Sequence, residues 1–284
     1  MASAFWDQVK ASGLEVPADR PLKELTAELT AMLGSSDPGR RDHTAFEVLA
    51  AWTARGVYDD LLSGLGDGMA AGLDQGLGER HTDTVFRRTF SARMLAVCLE
   101  RDNAQHLLAG AQVLTWGDHL ASWLLREQDL RAHVPTRGWA NALGYGADAL
   151  GALADSPHFG LPELTVLLDV LAERLLLPGD GAVLNGEPDR LAAAAMRIVQ
   201  RDLVPAAVLE GWVARIALGS RPEAHSPSDP YGRALLPQAF LRSLYLRLTL
   251  SRRRPSTRAD LLLALVDGLR SSNPDLDAPT SRTP

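Results

Sequence analysis

Cysteine, isoleucine and lysine are nearly absent from this chain: Cys98 is the only cysteine, Ile198 and Ile216 the only isoleucines, and Lys10 and Lys23 the only lysines. A single cysteine inside the apolar stretch MLAVCL excludes a disulfide framework and fits a reducing cytoplasm. The seven histidines are scattered, and neither a CxxC pair nor an HExxH helix occurs, so no metal site and no cofactor are expected. No apolar run approaches the roughly 18 residues of a membrane span, and MASAFWDQVKASG has neither the basic start nor the apolar core of a signal peptide. Sustained strict alternation of apolar and polar residues is also missing, which leaves the strand template unfilled.

Catalytic and nucleotide-binding signatures are equally scarce. There is no GxSxG elbow, and residues 64–72 (GLGDGMAAG) lack P-loop spacing and read as a loosely helical or looped segment. GYGADA at 144–149 matches GxGxxA as text, but it lies within a helical pattern with no strand before it. A net charge of −6 argues against nucleic acid as a partner. Yet residues 231–259 hold seven arginines and no acid, and Arg252, Arg253 and Arg254 form a weak candidate patch for an anion or an acidic partner. Positive charge at a helix end is an equally good account of them.

What is present is leucine, alanine and helix punctuation. Asp37–Pro38 reads as an N-cap and first helical residue, and Gly56 as the stop. Similar starts recur at Pro21, Pro162, Pro188, Pro205 and Ser256. The pattern predicts an all-α protein of about twelve helices in antiparallel pairs, a HEAT-like α-solenoid or helical-repeat architecture. Residues 1–270 are expected to form one domain, and the Pro-, Ser- and Asp-containing tail 271–284 a disordered extension. Residues 84–99 and 112–127 carry apolar side chains on more than one side and are expected to form the inner layer.

The most distinctive stretch is 137–155, RGWANALGYGADALGALAD. Read as a helix over 138–154, it places Trp139, Leu143, Gly146 and Leu150 on an apolar face and Asn141, Tyr145 and Asp148 on the opposite one. Gly144, Gly146 and Gly151 each cost about 0.8–1 kcal/mol relative to alanine inside a helix, which points to a packing or access requirement. An amide, a phenol and a carboxylate in line are a candidate ligand-binding face, or simply a wet one. Trp139 reads as core before ligand platform.

VFRRTFSARMLAVCLERDN (residues 85–103), followed by residues 125–157, resembles a bacterial family known as domain of unknown function 2785, and RDHTAFEVLAAW (41–52) is similar to that family's preceding helix. The likeness defines a core over 41–159. It implies an all-helical, repeat-like bacterial protein and no settled activity. Where the family pattern reads GWxHxxxHxAD, Trp139 and Asp148 match, while Asn141 and Tyr145 take the histidine positions. This chain is thus a divergent member by resemblance, and any metal or proton chemistry of those histidines is in doubt here. Arg87 and Arg88 also match; charged groups bounding an apolar helix normally pair structurally, and failing that they are natural anion anchors.

The expected function is binding or scaffolding through a concave inner face, for an unidentified small molecule, peptide or protein. A small-molecule enzyme with a pocket on the 138–154 helix is the alternative, with Asp148 as base or orienter and Tyr145 as donor. A nucleic-acid-binding repeat protein comes last. The candidate ligand-binding residues are therefore Asn141, Tyr145, Asp148, Trp139, Arg87 and Arg88. A closed pocket around 141, 145 and 148 favours the enzyme, and a broad open groove favours binding.

Overall fold

The computed structural model describes residues 2–177, 185–221 and 232–273. Among the described residues the chain is all-α, apart from one hairpin of two-residue strands. It divides into two compact units, Met1–His158 and Phe159–Pro284. Reading 1–270 as one domain does not mark that boundary. Of the expected tail, Ser271 and Ser272 still belong to the last helix, and 274–284 lie outside the described residues.

Unit 1 opens with α1 (Ala2–Ala11) and α2 (Leu22–Met32). Asp37 then caps α3 (Pro38–Arg40) as its chemistry predicts, Oδ1 accepting from the Gly39 N–H at 2.8 Å with Pro38 in the first turn. The backbone does not run on as a regular helix to Gly56. It widens into a π-helical turn over Arg41–Phe46 before α4 (Glu47–Ala54). Arg41, at the start of that turn, is fully buried, donates to the Ser35 and Arg137 carbonyls at 2.8 Å each, and lies 4.0 Å above the Phe86 ring.

α5 (Leu62–Leu73), α6 (Thr84–Gln105) and α7 (Gly110–Arg126) follow, then β1 (His133–Val134), β2 (Gly138–Trp139) and α8 (Ala142–Ala154). α6 is the spine of the unit and packs against α4, α5 and α8. Its apolar second half is buried on several sides, as expected. α7 is not its inner-layer companion, because only the face bearing Val113, Trp116, Leu120 and Trp123 is buried, while Leu114 is exposed. That place belongs to α8, which buries every residue except Asp148. Its glycines and alanines permit this: a Cβ on Gly146 would stand 2.8 Å from Leu124 Cδ1 and 3.2 Å from the Trp123 ring.

The start of α8 also differs from the sequence reading. Thr136, Gly138 and Asn141 all have positive φ, so no helix can pass through them. The segment turns as a hairpin instead, with Val134 paired to Gly138 and the Ala140 N–H donating to Ala132 O at 2.8 Å.

Unit 2 comprises α9 (Leu161–Leu176), α10 (Glu187–Val199), α11 (Ala206–Gly219), α12 (Gly232–Leu250) and α13 (Arg258–Ser272). Helices two apart in sequence pack together, α9 on α11, α10 on α12 and α11 on α13. The Trp212 indole donates to Leu168 O at 2.7 Å and meets Phe240 edge-on, tying α11 to α9 and α12. Gln238, buried on α12, donates to the carbonyls of Ser220 and Ser272 at the ends of α11 and α13.

Candidate functional site

Unit 1 holds an open groove of about 1520 Å³ between α2, α5, the segment joining α5 to α6 and the first turn of α6. Its apolar walls come from Ala27, Ala31 and Met32 on α2 and from Leu61, Leu65 and Met69 in and before α5. The floor is unusual. Gly64 and Gly68 lie one helical turn apart and line the groove, and a Cβ added at either would meet nothing within 4 Å. The other glycines of α5 are packed. A Cβ on Gly66 would fall 2.0 Å from the Trp116 indole, and one on Gly72 would fall 2.2 Å from Ser91 Oγ and 3.0 Å from Arg87 Nε. Glycines 66 and 72 therefore satisfy the fold, whereas 64 and 68 leave helix backbone open to the groove.

Arg87 stands in the wall, half-buried at the start of α6. Its Nη1 donates to Thr30 O, a carbonyl in the last turn of α2, and its Nη2 reaches Gly68 O at 3.4 Å. The buried Nε has no hydrogen-bond partner. Burial alone holds its pKa below the ordinary arginine value, and no carboxylate among the described residues offsets the charge. Tyr58 closes another part of the rim, its hydroxyl 2.9 Å from Thr26 Oγ1, and burial pushes the phenol up to about 12.

Arg88, one residue on, has the structural job foreseen for it. Its guanidinium is fully buried and grips Glu127 with two bonds, Nε to Oε2 at 2.5 Å and Nη2 to Oε1 at 3.0 Å, while Nη1 donates to the Gln75 and Gly76 carbonyls and Thr84 Oγ1. It ties the end of α5 and the end of α7 to α6. The neighbouring ERDN residues also serve the fold: Arg101 forks onto Asp59, and Asp102 Oδ1 accepts the N–H groups of Leu107 and Leu108.

None of the other candidates lines the groove. Asn141 is the N-cap of α8, its Oδ1 accepting from the Gly144 N–H at 3.2 Å. Tyr145 is buried edge-on against Phe90, with ring centres 5.4 Å apart, beneath the Arg93 guanidinium. Asp148 is the one partly exposed residue of α8. This face is thus packed instead of wet, and none of the three lines the groove. Trp139 is a correction on two counts: it sits in β2 and not in a helix, and it is 43% exposed beside His133 instead of in the core. Arg252, Arg253 and Arg254 are exposed in the turn after α12, where Arg253 donates to Gln200 O at 2.7 Å.

The residues that α2 and α5 contribute to the groove were not candidates from sequence. Glycines at 64 and 68, spaced i, i+4, were the available signal, for that spacing puts them on one helical face.

Among the described residues no helix is long and apolar enough to cross a membrane, and no group of three or more His, Cys, Asp or Glu is placed to hold a metal. Neither a curated protein nor a solved structure matches the chain. A family described as "Protein of unknown function (DUF2785)" matches residues 73–246. The match contains both segments that carry the resemblance and Arg87, leaves 41–52 outside, and extends through most of α12. It spans more than half of the chain, which therefore belongs to the DUF2785 family.

Proposed function

We propose that this protein is a HEAT-like helical-repeat binding protein whose N-terminal unit holds a small organic ligand in the groove between α2 and α5. The observation that carries this is the floor at Gly64 and Gly68. Glycine inside a helix costs up to about 1 kcal/mol relative to alanine, and here no neighbouring atom of the chain requires it. Helix stability is given up to keep open space over bare backbone, and space of this kind admits a ligand. The groove is broad and open, the form that favours binding over catalysis, and the alternate-helix packing of unit 2 supports the repeat reading. The enzyme reading gains no comparable support, since Asn141 is engaged as a cap and Tyr145 in ring packing. The buried free thiol of Cys98 agrees with a reducing, cytoplasmic setting.

Native mass spectrometry of the full chain purified from its own host tests the proposal. A retained small molecule is expected in the wild type and lost in Gly64→Leu/Gly68→Leu, whose added side chains project into the groove. Equal retention by both proteins, or none by the wild type, counts against it.

A further inference from the structure

Three cations line the groove, Lys23 and Arg40 exposed and Arg87 half-buried, and the half-buried one specifies the ligand's head group. Four carboxylates border the groove: Glu28, Asp60, Glu79 and Asp83. Three are engaged elsewhere. Glu28 pairs with Arg20 and accepts from the Trp6 indole, Asp83 pairs with Arg137, and Glu79 accepts from the hydroxyls of Thr82 and Thr84. Asp60 is exposed on the rim. Arg87 faces none of them as a partner; its charge meets only carbonyl oxygens of α2 and α5, and its Nε goes unbonded. A partly buried cation without a counter-ion is costly, and a fork with N–H groups to spare matches a carboxylate or phosphate.

The Gly68 carbonyl that Arg87 approaches belongs to the same residue that opens the floor. The cation and the bare backbone are therefore two parts of one surface, with Leu65 and Met69 beside them. Gly72 preserves the arrangement, since a Cβ there would intrude on the guanidinium.

We infer that the groove takes an organic anion with an extended apolar body, its acidic head on Arg87 and its body along Gly64 and Gly68. This rests on the groove being a ligand site and adds the chemical class of the ligand.

Isothermal titration of the full chain with decanoate, decyl phosphate and 1-decanol tests it. At least one of the two anions is expected to bind the wild type more tightly than the alcohol. Arg87→Gln should lose about ten- to a hundred-fold of that affinity and leave the alcohol unchanged, and Arg87→Lys should lose less, because the charge stays while the fork goes. Far-UV circular dichroism melts of each variant separate loss of the site from loss of the fold; if Arg87→Gln melts early, the decision falls to Arg87→Lys and the three probes on the wild type. Decanol binding as tightly as both anions, or anion binding indifferent to Arg87, overturns the inference. If decanol alone binds and Gly64→Leu/Gly68→Leu blocks it, the groove remains a ligand site while the anion assignment falls. If no probe binds, the inference falls, and host-ligand retention decides the groove separately.

Discussion

Arg88 and Glu127 form a bidentate ion pair with both side chains wholly out of water. The Trp123 indole N–H and the backbone N–H groups of Gln128 and Asp129 also donate to the carboxylate. Such a pair gains little over an apolar substitute, but removing one partner strands the other in the interior. Arg88→Met and Glu127→Leu singly should each lower unfolding free energy by about 3–5 kcal/mol in urea titrations, with the double variant recovering part of the loss. Additive losses would show that the pair is not a coupled unit.

The glycines of α5 should separate by sign. Gly66→Ala drives a methyl into the Trp116 ring and should cost about 1–3 kcal/mol. Gly68→Ala meets open space and should gain up to about 1 kcal/mol from helix propensity alone. The same denaturation series decides it, and destabilisation by Gly68→Ala would mean that the floor is not open.

Some of this fold is legible because the chemistry is local. Asp37 and Pro38 announce α3, and the MLAVCL run announces the buried end of α6, through interactions within a few residues. The failures have longer-range causes. Nothing around Arg41 reveals that its guanidinium will bond Arg137 O, and nothing there announces the π turn. Trp139 fits a helical wheel, and only the positive φ of Gly138 and Asn141 removes it from one. α8 outranks α7 in burial because small residues admit close neighbours, a matter of fit that hydrophobic periodicity does not report. The groove depends on Thr30, Gly68 and Arg87 meeting across three helices.

Asn141 offers a test of the cap assignment. It combines a left-handed backbone, φ 47°, with a side chain that bonds the Gly144 N–H. Alanine loses the cap and strains the backbone, so Asn141→Ala should cost about 1–3 kcal/mol. Glycine accepts that φ freely, and Asn141→Gly should cost only a few tenths of a kcal/mol. Equal losses in thermal melts would argue that the amide serves something other than the helix start.

The alkaline limb of stability should report two buried groups of unit 1, Cys98 and Tyr58. Burial pushes the Cys98 thiol from its ordinary 9.0, and the Tyr58 phenol from 10.0, each up to about 12. Between those limits the unfolded chain has released protons that the folded chain still holds, so stability is complete below the lower values and falls as pH rises toward 12. Each group contributes a slope of about 1.4 kcal/mol per pH unit within its window. Cys98→Ala should delay the fall until Tyr58 begins to titrate in the unfolded state, and Tyr58→Phe should shallow it above that point while losing the bond to Thr26. Urea midpoints measured between about pH 8 and pH 11 resolve the two. Variants that decline in parallel with the wild type across that range would show that neither group is held protonated by the fold.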